Sequence, residues 1–196
     1  MELPSICLLN EKKKINIILN SNKDSTKLPQ SLDDLITALL EGDRATYNQI
    51  IHSIKFSSNA FDKYVSWSNE CYTRNCIIDT EKFELILICW CKGHSTPIHD
   101  HDGEECWVKV IKGEFKETIY KENESGALDI VKTIISKQNQ VTYMKDFMGF
   151  HSLENLSDNK SMSLHLYAKP IRKCRIFDAE LNTFVLKELE YDTIAS

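Results

Sequence analysis

Apolar residues recur at helical spacing early in the chain and at alternate positions later. Leu32, Leu35, Ile36, Leu39 and Leu40 form one stripe behind Ser31, a residue type that caps helix starts. Gly42 ends that helix and Asp43 caps the next, where Tyr47, Ile50, Ile51 and Ile54 make a second stripe. Phe61, Tyr64, Val65 and Trp67 predict a short third helix. From Tyr72 onward the pattern is β. Strands are expected at Asn75–Asp79, Phe83–Trp90, Cys106–Ile111, Glu114–Tyr120 and Leu128–Ile135, then at Gln140–Tyr143, Ser163–Ala168, Arg172–Phe177 and Thr183–Lys187. Turns fall near Asp79–Lys82, at Asp102-Gly103 and at Lys112-Gly113, and Lys121–Ala127 reads as a polar loop. Many short strands with regular turn signals argue for a sandwich or a closed barrel. The expectation is one mainly β domain over residues 1–196, helical to about residue 70 and a β-barrel from about residue 71.

With 196 residues the chain is long enough to bury a real core. Its formal charge of -5 is mild and mixed along the sequence. No basic stripe favours nucleic acid, and no apolar run is long enough to cross a bilayer. The segment Met1–Cys7 lacks the charged, apolar and small-residue sections of a signal peptide, so a cytoplasmic protein is expected, acting as a monomer. Seven cysteines make an odd count without framework-like spacing, which suggests mostly reduced thiols. Cys89 and Cys91 share a strand face, and small apolar core residues are the better reading of that pair than a metal site. His52, within the second helical stripe, reads as a partly buried structural histidine.

The segment Gly93–Gly113 carries the strongest chemical signal. His99 and His101 are one residue apart, and in extended backbone such residues point to the same face, so two ring nitrogens can reach one ion. Asp100 between them should point the other way. With a turn and a strand following, the segment reads as a β-hairpin carrying most of a metal site. His151, after a strand and the short loop 144–150, is the candidate third ligand. Glu104 and Glu105 offer a carboxylate if the turn folds inward, and His94 is read as structural. Three neutral imidazoles leave a divalent ion its full charge and open positions. Zinc held so would activate water; iron(II) would have room for a bidentate substrate and dioxygen. Elsewhere Ser163, His165 and Tyr167 share one strand face, a polar row that needs partners or a function if buried. Tyr72 and Arg74 are likewise two apart. An inward guanidinium grips a carboxylate with two hydrogen bonds, but taken alone the pair reads as an internal salt bridge or a solvated arginine.

The spacing of Gly93, His99, His101, Cys106 and Gly113 resembles the first cupin motif, with Cys106 where cupins usually carry glutamate. His151 and Asn155 resemble the end of the second, without its opening proline and glycine. That similarity implies a cupin-type jelly-roll β-barrel with a metal inside. A wider set resembles the cysteine dioxygenase family over nearly the whole chain: Tyr72-Thr73-Arg74-Asn75, Cys89-Trp90, Gly93-His94, Ile98-His99-Asp100-His101, Cys106, Lys116-Glu117-Thr118, Gly149, His151, Glu154-Asn155 and the run from Ser163 to Tyr167.

The resemblance implies non-haem Fe(2+) held by His99, His101 and His151, and oxidation of L-cysteine by dioxygen to the sulfinic acid in cysteine catabolism. It implies that Arg74 pairs the substrate carboxylate, with Tyr72 assisting. Ser163 and His165 would orient the catalytic Tyr167, which Cys106 would join through a thioether. A related dioxygenase of 3-mercaptopropionate has glutamine in place of Arg74 and lacks the cross-linking cysteine, so Arg74 and Cys106 favour cysteine over 3-mercaptopropionate or cysteamine. A zinc cupin doing isomerase or hydrolytic work is the alternative of another class. Ala168-Lys169-Pro170 departs from the family, which has Ser-Pro-Pro with a cis bond before the first proline. A cis bond before lysine would cost about 2.5–4 kcal/mol.

Overall fold

Ser31 opens the first helix. Its hydroxyl accepts from the Asp34 amide at 3.1 Å, and α1 (Leu32–Glu41) runs to Gly42. Asp43 forms a capping box with Thr46 at the start of α2 (Arg44–Ser53), which fixes the corner between the two helices. Leu32, Leu35, Ile36 and Leu39 on α1 and Tyr47 and Ile51 on α2, with Ile54 at its end, are buried in one cluster, with Leu40 and Ile50 at its margin. The third helix is a 3₁₀ helix, Ser58–Tyr64, which buries Phe61 and Tyr64. His52 is exposed rather than partly buried, because α2 turns it outward, and its Nδ1 bonds the Asn48 carbonyl at 2.7 Å. The structure is a computed structural model that describes residues 28–194; the readings of Met1–Cys7 and of the first part of the helical region lie outside those residues.

The strands are β1 (Thr73–Asp79), β2 (Glu84–Trp90), β3 (Cys106–Lys112), β4 (Glu114–Glu122), β5 (Leu128–Lys137), β6 (Val141–Met144), β7 (Phe150–Asn155), β8 (Ser161–Tyr167), β9 (Lys173–Asp178), β10 (Thr183–Glu188) and β11 (Thr193–Ile194). One six-stranded sheet has the order β11-β1-β2-β8-β3-β6. Opposite it lie β5-β4-β7 and the pair β10-β9. Residues 95–99 join these two pieces through bridges from Ser95 to Glu154 and from His99 to both His151 and Ile176. The fold is a mainly β barrel of two facing sheets, with helices against the outside of the six-stranded sheet.

Alternation along the central strands separates two cores. From β2, Leu85, Leu87 and Cys89 face the helices, while Ile86, Ile88 and Trp90 face the barrel interior. On β8, Met162, Leu164 and Leu166 join the helical core. The remaining residues of β8, Ser161, Ser163, His165 and Tyr167, are all buried on the other face. Truncating a fully buried leucine such as Leu35 would cost about 2–5 kcal/mol.

The expected hairpin at His99–Cys106 is not formed. Residues 95–99 belong to the sheet opposite β3, and the chain crosses between sheets after His101. Pro97 cannot donate to a ladder, which leaves isolated bridges there instead of a strand. Asp102 (φ 52°) and Gly103 (φ 88°) make the crossing as a tight turn closed by the Glu104 amide on the His101 carbonyl at 3.1 Å. Two strands were not expected, β7 and the short β11. No cis peptide occurs among the described residues, so the Ala168–Lys169 bond is trans.

Candidate metal centre

His99 and His101 come from the crossover and His151 from β7. Their ligand atoms lie within 4.8 Å of one another, the one such cluster of three or more metal-ligating side chains among the described residues. The Nε2 atoms of His151 and His101 are 3.0 Å apart. Two nitrogens each about 2.1 Å from one ion and at a right angle would be separated by about that much. The opposite nitrogens are engaged elsewhere: His99 Nδ1 on the Pro97 carbonyl at 2.9 Å, and His151 Nδ1 on Glu117 Oε1 at 2.7 Å. Such contacts fix the tautomer and turn Nε2 toward the centre. Burial, helped by the neighbouring His151 ring, lowers the His99 pKa to about 3 and pushes His101 down as well. Both rings are therefore neutral donors near neutral pH, as a metal requires. The residues present fit a divalent ion.

The remaining acids near the crossover serve other ends. Glu105 accepts from Tyr143 at 2.8 Å and Lys145 at 3.3 Å and pairs with Arg44, while Glu104 leans to Arg44 at 3.6 Å. Cations on α2 and after β6 hold both carboxylates away from the histidines. Asp100 does point away from its flanking histidines, onto Arg175 Nε at 2.6 Å. His94 is structural: its Nδ1 accepts from the Cys91 amide at 3.0 Å. Cys89 is buried in the helical core and Cys91 Sγ contacts the Ser68 carbonyl at 3.1 Å, so neither serves a metal cluster.

Beyond the histidines the barrel interior is filled by inward side chains of β2, β3 and β8, apolar ones together with Ser163, His165 and Tyr167. The His101 and Tyr167 rings are 5.5 Å apart, and Cys106 is the register partner of Tyr167. Burial pushes both the Cys106 thiol and the Tyr167 phenol well up, so both stay protonated. Trp90 Nε1 donates to Ser163 Oγ at 2.9 Å, which bonds His165 Nε2 at 2.8 Å. That chain starts from Trp90, and His165 meets Tyr167 ring to ring, with centroids 6.2 Å apart. Tyr72 packs on Trp90 at 4.9 Å. Arg74 enters from β1, and its buried Nη2 has no hydrogen-bond partner among the described residues.

Sequence reasoning assigned no role to Glu117, the carboxylate on His151. Its signal was an acid two residues from both Phe115 and Ile119 on a strand that buries all three. Glu84, fully buried opposite Tyr167, and Tyr191, which bonds it, were also missed.

A family model of cysteine dioxygenase type I matches residues 20–180. Cysteine dioxygenase type 1 of Danio rerio is 33% identical over 162 residues, covering 76% of this chain and 80% of the relative. The Homo sapiens protein of that name is 32% identical over 160 residues with the same coverage. Among solved structures, a Klebsiella pneumoniae protein with a double-stranded β-helix domain matches 65% of this chain and 94% of its own, at 19% identity and a TM-score of 0.44. The family match takes in His99, His101, His151, Arg74, Cys106 and Tyr167 alike, and on it the chain belongs to the cysteine dioxygenase type I family.

Proposed function

We propose that this protein oxidises L-cysteine with dioxygen to cysteine sulfinic acid, using iron(II) held by His99, His101 and His151. Both atoms of dioxygen go to sulfur, so no further reductant is needed. The observation that carries the reading is Arg74. A buried guanidinium nitrogen without a partner, beside three converging imidazoles, calls for an anion that arrives with the substrate. An amino-acid carboxylate meets that need, and a charge-assisted pair of this kind is worth about 1.5–3 kcal/mol. Cysteamine would leave Arg74 unsatisfied.

When bound, iron(II) supplies the one-electron chemistry by which a thiol and dioxygen react. The chain's own residues prepare that encounter. His99 and His101 offer lone pairs without first losing a proton. Glu117 keeps the proton of His151 on Nδ1. Tyr72, two residues from Arg74, packs on Trp90, and Trp90, Ser163 and His165 brace the strand that carries Tyr167. Cys106 stands where a thioether would lock the phenol in one rotamer.

The test is oxygen uptake by ferrous-loaded protein given L-cysteine, with the product identified. Cysteine-dependent uptake yielding the sulfinate is expected; an intact iron site with no such uptake would overturn the reading. Full zinc occupancy in protein from iron-replete cells would instead favour hydrolytic or isomerase work. No helix among the described residues is long and apolar enough to cross a membrane. The reading includes a cytoplasmic monomer, to be checked by fractionation and sedimentation.

A further inference from the structure

The last described segment crosses β1 at Arg74 and holds that residue from several sides. Asp192 Oδ2 accepts from the Arg74 amide at 2.7 Å, and the Asp192 amide donates to the Arg74 carbonyl at 2.8 Å. The Glu190 carbonyl accepts from Arg74 Nε at 3.2 Å. One residue on, Thr193 Oγ1 donates to Asn75 Oδ1 at 2.8 Å, and β11 continues alongside β1 in parallel.

Between these contacts the segment sends one side chain inward. Tyr191 packs with Leu189 against the barrel-interior core. Its hydroxyl donates to Glu84 Oε1, accepts from Arg172 Nη1 at 2.9 Å and lies 3.2 Å from Asp79 Oδ2. Arg172 grips both oxygens of Asp79, at 2.6 and 2.9 Å. The other oxygen of Glu84 accepts from the Ile171 amide at 3.2 Å. Glu84 is the register partner of Tyr167. A single phenol therefore ties the C-terminal segment to the strand row that carries Tyr167 and Cys106.

The consequence falls on the guanidinium. It is planar, so a carbonyl on Nε fixes the plane in which the Nη nitrogens lie. An arginine held this way gives up less rotamer freedom when it grips a carboxylate, and binds it more tightly for that reason. We propose that Glu190, Tyr191 and Asp192 form a strap that positions Arg74 for the substrate carboxylate, with Tyr191 as its anchor, and that this strap sets the preference for carboxylate-bearing thiols. The inference rests on the reading of Arg74 as the carboxylate partner.

The test is anaerobic calorimetric titration of the ferrous protein with L-cysteine and with cysteamine, which lacks the carboxylate, alongside steady-state oxygen uptake. Tyr191→Phe and Asp192→Ala should each weaken L-cysteine about tenfold, the scale of one misaligned charged hydrogen bond, and move cysteamine less than about twofold. KM for L-cysteine should rise while kcat holds. Asp192→Asn keeps an oxygen acceptor and should restore binding. Equal weakening of both ligands, or of neither, overturns the strap. Arg74→Ala separates the two levels. If it erases the preference for L-cysteine while the strap variants keep it, the strap fails alone; if it leaves the preference intact, the carboxylate reading falls and the strap with it.

Discussion

Cys106 on β3 and Tyr167 on β8 stand directly opposite each other in an antiparallel ladder, their side chains in contact within the barrel. Directly paired residues on one face bring Cβ atoms to about 4.5–5.5 Å, the range a sulfur bridge to an aromatic ring can span. A thioether between them, formed with dioxygen as oxidant, should leave the purified protein lighter than its sequence by a pair of hydrogen atoms. Cys106→Ser should keep the sequence mass and retain reduced activity. An unchanged intact mass for the wild type after turnover would argue against the bond.

Glu117 should matter to metal retention although it never touches the ion. It fixes His151 through Nδ1, and loss of such a partner costs about 10–100-fold in affinity. Glu117→Ala should therefore lose iron to a competing chelator more readily than wild type by that factor, with Glu117→Gln between them. His151→Ala should not retain iron at all. Tight iron in that variant would remove His151 from the ligand set.

How far this was readable in advance depended on the range of the interactions. The caps at Ser31 and Asp43 and the stripes behind them are local, and so are the same-face placement of His99 and His101 and the outward turn of Asp100. Which sheet the crossover joins is not local: it is settled by bridges to Glu154, His151 and Ile176, far along the chain, and the hairpin reading failed there. β7 escaped notice because its inward residues, His151, Leu153 and Asn155, mix polar with apolar and blur the alternation. Tyr191 meets Glu84 across 107 positions, and no pattern within either segment announces the contact.

Gly149 is required by the strand that carries His151. Its φ is +113°, and a Cβ there would lie 2.0 Å from the Tyr120 carbonyl oxygen. Phe150 pairs with Tyr120, so relief of that clash must move the start of β7. Gly149→Ala should destabilise the fold by more than the 1–3 kcal/mol, roughly, of backbone strain alone, and should weaken iron binding. Gly126→Ala is the comparison: its φ is also positive, at +81°, but a Cβ would meet only Glu122 Oε1, at 3.8 Å. Strain alone would then act, without effect on the metal. Equal losses of stability and iron affinity in the two variants would show that the contact with Tyr120 is not what matters.

Cys174 should make the fold sensitive to alkali. The thiol is 3% exposed, and burial pushes its pKa from 9 up to about 11. In the unfolded chain the thiol ionises first, so between those values the unfolded state holds fewer protons and gains population as pH rises. The stabilisation is whole below about pH 9 and is lost by about pH 11, a span worth about 2–3 kcal/mol. Urea unfolding of wild type and Cys174→Ala across that range should give converging curves: the variant starts less stable for the packing it lacks, and falls less steeply because it has no thiol to ionise. Parallel curves would show that Cys174 does not titrate differently in the two states. Tyr143, raised from 10 to about 12 by burial and by its hydrogen bond to Glu105, loses its own contribution between those values in both proteins alike, so the difference between the two curves reports Cys174.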